Sequence, residues 1–452
     1  MSERTRLMSS VTQVGKQMEW VLEDRACELA RETGCVKRLR KFSGADLVQM
    51  LVFGFQQHPH ASLEELASTA ELREVSVTDS AVDKRFTPEC ARLLHAVLEE
   101  LTSSVVQAAQ DVPIRLLRRF AAVILQDSSS MTLPDALAEQ WQGCGGTQDH
   151  TAAAVKLHVR WELKRGRLWG PELTDGRTSD RSSPFNEQEV VPGSLYVEDL
   201  GYFDQSRLAE RHRAGAYSLT RLQAGTALYT RKGQRLCVLD VVPRRVGQMK
   251  ELRVLVGARA RLPMRRLLLR VPKEVAEKRR EDLLRDAQRR QQTISEATLQ
   301  LADWTILVTD VPAKRLRFEE ALVLLRERWQ MELLYKLWKQ HGQVDEWHTA
   351  DPWRVLCELY AKLIGLLLQH WLIVLFAWHD PQRSLVKLAK VVRDTGWTLM
   401  EALAGQRSLR SALHLIGRRM RSGCQMNKRK QHPNSAQLLE QEAVEWALSW
   451  CE

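Results

Sequence analysis

Paired cysteines are missing from this chain. Its eight cysteines, Cys27, Cys35, Cys90, Cys144, Cys237, Cys357, Cys424 and Cys451, make no CxxC pair and no Cys/His cluster with zinc spacing. That excludes a zinc-finger module and leaves free thiols in a reducing cytoplasm as the expectation. An apolar signal core is missing too, since the start, MSERTRLMSS, is polar; secretion is not expected. No repeat array and no long low-complexity linker interrupts the chain. One run, LIGLLLQHWLIVLFAW (363–378), has a membrane-like composition. It is short for a span and contains Gln369 and His370, so a buried helix of a bundle is expected and no membrane partner. What is present is length and positive charge. The 452 residues carry 67 Lys and Arg against 56 Asp and Glu, a net charge of +11 with a pI near 9.3. Such a length suggests roughly two to four domains. The basic excess points to an anionic partner, most commonly nucleic acid.

Residues 1 to 112 read as helices. Ser43 with Asp46, and Ser62 with Glu65, have capping-box spacing. SVTDSAVDKRF (76–86) adds a short helix ending in Lys84 and Arg85. The layout is that of a helix-turn-helix, or equally of a plain bundle with a solvated basic face. Then the pattern changes. RRFAAVILQD (118–127) is an apolar strand ending in Asp127, and AAAVKLHVRWEL (152–163) with RLWGPELTDG (167–176) reads as a hairpin around KRGR. SLYVEDLGYFD (194–204) is a strand ending near Asp199. FDQSRLAERHRAG (203–215) is a helix stopped by Gly215, and AYSLTRL (216–222) is a strand again. This order suggests a mixed sheet of α/β type.

Residues 223–303 interrupt that sheet with β-like runs (RLCVLDVV, LRVLVGARA, RRLLLRVP) and a charged helix, KEVAEKRREDLLRDAQRRQQ (273–292). The helix reads as DNA-facing or simply solvated. The strand WTILVTDVP (304–312) and a long helix from Glu319 to about Gln340 follow. From about 346 the chain is helical again and closes on a basic stretch, GRRMRSGCQMNKRKQHP (417–433), which reads as a phosphate contact or a solvated loop.

The long helix is dense in apolar residues yet carries Arg328, Glu332 and Lys339. With Arg328 at zero and 100° per residue, Glu332 falls at about 40° and Lys339 at about 20°. The three share one polar seam on an otherwise packed helix. An i,i+4 ion pair or the wet edge of a bundle helix would look the same. Asp127 and Asp199 at strand ends add two carboxylates, and functional groups gather at such ends. Three carboxylates suit a hard cation such as Mg2+. Two such ions about 4 Å apart activate an attacking oxygen and stabilise the leaving oxygen of a phosphodiester. Arg328 and Lys339 have the chemistry to hold the substrate phosphate.

At these residues the chain resembles the DDE transposases of the insertion-sequence-four group, the cut-and-paste enzymes of bacterial mobile elements. Arg328, Glu332 and Lys339 match the spacing of the family signature Y-(2)-R-(3)-E-(6)-K, with Leu325 at the Tyr position. LQDSSS matches the context of the first aspartate, Asp127, and DLGYF that of the second, Asp199. The resemblance covers roughly residues 118–345.

The resemblance implies an RNase-H-like mixed-sheet core with a β-rich insertion, flanked by N- and C-terminal helical domains. It divides the chain into an N-terminal DNA-binding domain (1–112), a catalytic core (113–222 and 304–345), a β-rich insertion with a charged helix (223–303) and a C-terminal helical domain for dimerisation or DNA contacts (346–452). It implies Asp127, Asp199 and Glu332 as the catalytic, metal-binding triad, with two Mg2+ ions for which Mn2+ can substitute. Arg328 and Lys339 are implied as phosphate contacts, with Lys336 on the same helix grouped beside them. Trp304 is implied as a stacking platform for a base flipped at a hairpin, and Arg221 in SLTRL as a contact to the end DNA. The partners are double-stranded DNA, as element ends and as target, and a second copy of the chain in a dimeric synaptic complex. The setting is bacterial, cytoplasmic and nucleoid-associated. The expected function is cleavage at terminal inverted repeats, with a hairpin as one route, and joining of the 3′ ends to target DNA. A transposase-derived DNA-binding protein without transposition activity, favoured only by Leu325, and a metal-dependent nuclease of the same fold are the alternatives.

Overall fold

The computed structural model describes residues 6–38, 41–145, 152–289 and 291–427. The last residues of the basic stretch, 428–433, and Cys451 therefore lie outside the described residues. The strands are β1 (Arg6–Met8), β2 (Ser104–Val106), β3 (Val123–Leu133), β4 (Ala153–Glu162), β5 (Leu168–Asp175), β6 (Leu195–Glu198), β7 (Tyr217–Arg221), β8 (Leu228–Tyr229), β9 (Arg235–Leu236), β10 (Met249–Val256), β11 (Leu262–Arg270) and β12 (Trp304–Thr309). The described chain groups into two compact units. One lies within Met1–Pro113, Ser128–Thr178 and Glu332–Lys428, the other within Ile114–Asp127 and Ser179–Met331.

The first unit is mainly helical. Ser43 Oγ accepts from the Asp46 amide at 3.1 Å and Asp46 Oδ2 accepts from the Ser43 amide at 2.8 Å, so the expected capping box opens the helix Gly44–Gln57. Ser62 and Glu65 do the same for Leu63–Glu71. The second helix of the expected helix-turn-helix spans only Asp79–Asp83. The apolar run near residue 370 is the core of a 26-residue helix, Pro352–Ala377. By length and composition it could cross a membrane, but nearly all of it is buried, packed on Gly44–Gln57 and Pro88–Thr102. The bundle-helix expectation is met for this element. The expected hairpin is also present as β4 and β5.

His370 sits in the middle of that long helix, with Nε2 at 2.9 Å from the Gly166 carbonyl. Burial disfavours the imidazolium and lowers its pKa to about 4. The unfolded chain takes up this proton at its ordinary value, about 6.5. Between those values the unfolded state binds more protons, so stability is lost as pH falls from 6.5 towards 4, at up to ~1.4 kcal/mol per pH unit. His370→Gln keeps a donor and removes the titration. In denaturant titrations at pH 7, 6 and 5 the wild type should lose stability faster than this variant; equal pH slopes would refute the effect.

The second unit is built on a mixed sheet with strand order β3-β6-β7-β12-β11-β10-β8-β9. β3, β6 and β7 are parallel, and β12, β11, β10, β8 and β9 continue in antiparallel pairs. Val123, Ile124 and Leu125 are all buried, as a parallel strand covered on both faces requires. The helix Gln205–Arg213 makes the crossover from β6 to β7. Gly215, at φ +74°, turns the chain back into β7, the stop expected from its sequence.

Four readings change. β3 continues past Asp127 to Leu133 instead of ending there. RLCVLDVV yields only Arg235–Leu236 as strand, because residues 237–241 turn. The strands of the 223–303 interruption extend the same sheet, with β12 between β7 and β11. The long helix is three segments: Phe318–Glu327, Trp329–Lys336 and a π-helical turn, Leu337–His341, with Arg328 in the turn joining the first two. A π turn rotates less per residue than an α turn, so Lys339 leaves the phase that an ideal wheel assigned it.

Candidate active site

Strand register creates the site. Gln126 on β3 is opposite Glu198 on β6, and Glu198 is opposite Thr220 on β7. One residue further along each strand come Asp127, Asp199 and Arg221. These three positions therefore lie side by side where the parallel pairings end, about 5 Å apart from strand to strand, with side chains on a shared face. Asp199 follows the last residue of β6 and opens the short 3-10 turn Leu200–Tyr202. A Cβ on Gly201 in that turn would lie 2.9 Å from Asp180 Oδ2, so a larger residue there would push the Asp180 side chain aside.

Arg328 joins the two aspartates. Its Nη1 donates to Asp127 Oδ2 at 3.4 Å, and its Nε lies 3.9 Å from Asp199 Oδ1. The three side chains are partly open to solvent, at 17–36% exposure. Two bare carboxylates a strand spacing apart repel by roughly 3 kcal/mol at an effective dielectric of 20, so the guanidinium between them offsets a real cost. The carrier of Arg328 is itself tied to the start of β3. Arg119, four residues before Val123, donates from Nη1 and Nη2 to the two oxygens of Glu320 at 2.7 and 2.9 Å.

Behind Asp199, strand alternation turns Glu198 to the opposite, buried face. There Arg211 from the crossover helix donates from Nη1 to Glu198 Oε2 at 2.6 Å and from Nη2 to Oε1. The Arg211 guanidinium also lies 4.3 Å from the Tyr196 ring centroid. Burial weakens the hold of Arg211 on its proton, and Glu198 more than restores it. The sequence reading missed this pair. The signal was available: two adjacent acids ending a strand must face opposite ways, and the buried one needs a cation.

The remaining expected site residues are distributed as follows. Glu332 begins the last segment of the first unit, four residues after Arg328 in sequence. Lys339 is in the same unit; its Nζ contacts the Ser130 carbonyl and Asp345, both at 3.3 Å. Lys336 is exposed and Leu325 half-buried. Arg221 is exposed at the end of β7. Trp304, the first residue of β12, is fixed on two sides: Nε1 donates to the Pro243 carbonyl at 2.9 Å, and the Arg270 guanidinium stands 4.5 Å from the ring centroid.

Among the described residues no three Asp, Glu, His or Cys side chains form a ready-made metal cluster. The pair brought together, Asp127 and Asp199, offers carboxylate oxygens only. That donor chemistry fits Mg2+, which takes oxygen ligands and retains waters, and it does not suit a thiophilic metal.

A family model described as the transposase DDE domain matches residues 118–368. The chain is 25% identical over 361 residues to the transposase for insertion sequence element IS231F of Bacillus thuringiensis subsp. israelensis, covering 75% of each chain. It is 22% identical over 361 residues to the IS1151 transposase of Clostridium perfringens, covering 75% of this chain and 76% of the relative. It is 22% identical over 351 residues to the IS421 transposase of Escherichia coli, covering 75% and 88%.

Proposed function

The chain belongs to the family of transposases with a DDE domain, and from that premise we propose that it cuts DNA at the ends of an insertion sequence and joins the 3′ ends to target DNA. The observation that carries this reading is the convergence of Asp127 and Asp199 on Arg328 at the level where β3, β6 and β7 stop pairing. Asp127 and Asp199, with Glu332 as the third ligand, would hold two Mg2+ ions, or Mn2+ in their place. When bound, such ions polarise the phosphodiester and lower the pKa of an attacking hydroxyl or water.

The chain's own groups do the rest. Arg328 holds the aspartates at fixed spacing and has a fork that matches a phosphate. Lys336, at the end of the segment Trp329–Lys336, and Lys339, in the π turn that follows, add cationic donors. Arg221, level with Asp199, contacts the end duplex. Trp304 supports a flipped base if the route passes through a hairpin. The mixed sheet is the RNase-H-like core (113–222 and 304–345) with an insertion (223–303). The helical flanks 1–112 and 346–452 serve end binding and assembly of a homodimer on paired ends. The work is done in the bacterial cytoplasm, on the nucleoid.

The test is a nicking and joining assay on a duplex carrying the inverted repeat that borders the coding region, with a plasmid as target. Cleavage and strand transfer should require a divalent cation, and EDTA should stop both while end binding persists. Cleavage that continues in EDTA would exclude the metal-dependent centre, and cleavage without joining would make the protein a nuclease.

A further inference from the structure

The net charge of the chain is unevenly spread. Between residues 223 and 270 there are twelve Lys and Arg and only Asp240 and Glu251 as acids. This stretch alone accounts for nearly all of the excess of +11. Its charges are not all free for a partner. Arg265 is buried against Glu251 and the carbonyls of Val311 and Leu316, and Arg266 donates to the carbonyls of Val238 and Asp240. Those arginines hold the fold. Arg244 and Arg245 are different: both are exposed, adjacent, and in the turn that leads into β10.

That turn is built to hold its shape. Gln248 Oε1 accepts from the Arg244 and Arg245 amides at 2.9 and 3.2 Å, and the Gln248 amide donates to the Arg245 carbonyl at 3.0 Å. The Gly247 amide donates to the Arg270 carbonyl at 2.9 Å, which ties the turn to β11. Trp304 Nε1 donates to Pro243 at the other end of the turn, and Arg270 covers the Trp304 ring. The backbone is thus fixed at both ends while two guanidinium groups project outward. A pre-ordered pair of this kind loses little entropy on binding and suits a regularly spaced polyanion.

Register sets its place. Leu307 of β12 is level with Arg221, and Trp304 lies further along the same strand, past the end of β7. Arg270 is opposite Trp304, and Met249 is opposite Leu269. The turn therefore stands at the edge of the sheet where Asp127, Asp199 and Arg221 stand. The turn is held to β12 through Trp304 and to β11 through Arg270 and runs into β10, so it lies three to five strand spacings from β3, roughly 14–24 Å. Along B-DNA that is about four to seven base pairs at 3.4 Å each.

We propose that the Pro243–Gln248 turn is a binding site for the sugar-phosphate backbone of duplex DNA, with Arg244 and Arg245 gripping phosphates about four to seven base pairs from the scissile one, and with Trp304 as the residue that positions the turn. This rests on the reading that the Asp127–Asp199 site cuts DNA, and it adds a contact that the acidic site does not require. A phosphate grip carries no base preference, so it acts equally on end and random sequences.

The test is a salt titration of binding by fluorescence polarisation, using one labelled duplex of random sequence and one carrying the inverted repeat. The proteins are wild type, Arg244→Ala/Arg245→Ala and Trp304→Phe, which keeps a ring but loses the Nε1 donor. The double variant should bind both duplexes more weakly, with the slope of log K against log salt shallower by about 1.8, for two lost phosphate contacts. Trp304→Phe should move the slope the same way by a smaller amount, and in the double variant ethylation of phosphates about four to seven base pairs from the cut should no longer interfere with binding. An unchanged slope in the double variant, with the wild type still binding and cutting, overturns this inference and leaves the cleavage reading standing. A weaker affinity at an unchanged slope points to altered folding and overturns it as well. A wild type that neither binds nor cuts duplex DNA removes the cleavage reading itself.

Discussion

Asp127→Asn should lower strand cleavage by at least about a thousandfold, corresponding to ~4 kcal/mol of lost transition-state stabilisation. The substitution keeps the size of the side chain and an oxygen that can accept from Arg328, now 3.4 Å from Asp127 Oδ2. What it removes is one negative charge at the place where the donor chemistry calls for a cation. Asp199→Asn should have the same effect, because register puts the two residues at one level. The double variant falls no further than about the worse single one, since groups that act as a unit are not additive. Duplex affinity should hold or rise, as an anion has been removed beside a polyanion. Single-turnover nicking and polarisation binding on the same preparations measure both quantities. Either variant nicking at near wild-type rate would dissociate these aspartates from the chemistry. Glu332→Gln, assayed alongside, decides whether the third ligand is the one the signature spacing designates.

Arg211→Leu costs the fold about 3–5 kcal/mol, because it leaves the Glu198 carboxylate buried without its partner. The pair is closed: Arg211 is 1% exposed and both of its terminal nitrogens are used on Glu198. Replacing both, as Glu198→Leu with Arg211→Leu, should recover most of the lost stability, as two apolar groups need no solvation. Urea denaturation of the wild type and the two variants at pH 7 gives the numbers. A cost below about 1 kcal/mol for Arg211→Leu would mean that water reaches Glu198, in conflict with its burial. Glu198 is covalently next to Asp199, so loosening this pair should also raise the mobility of the second aspartate and slow cleavage.

Much of the local structure was legible because its causes are local. Ser43 with Asp46 and Ser62 with Glu65 marked helix starts through three-residue spacing, and both boxes form. The apolar residues around His370 predicted a covered helix, and Pro352–Ala377 is covered. Asp127 and Asp199 could be singled out by their contexts, LQDSSS and DLGYF, without knowing what lay beside them. The errors have local causes too. Periodicity could not reveal the π turn at Leu337–His341, because it assumes one rotation per residue throughout. Nor could it show that RLCVLDVV turns after two residues, since a short apolar run fits strand and packed loop alike.

By itself, the sequence determined the basic charge, the absence of a cysteine framework, the helix caps and the identity of the acidic residues. Tertiary structure decided which residues meet. Asp127 reaches Asp199 only because Gln126 pairs with Glu198, and Arg221 joins their level only because Glu198 pairs with Thr220. Trp304 meets Pro243 across 61 positions of chain, and the Arg244–Arg245 turn takes its place from that meeting. Strand pairing is non-local, and a shift of one residue would turn every one of these side chains to the other face. Residue types are written in the chain, but register is fixed only when the whole sheet buries its apolar faces at once.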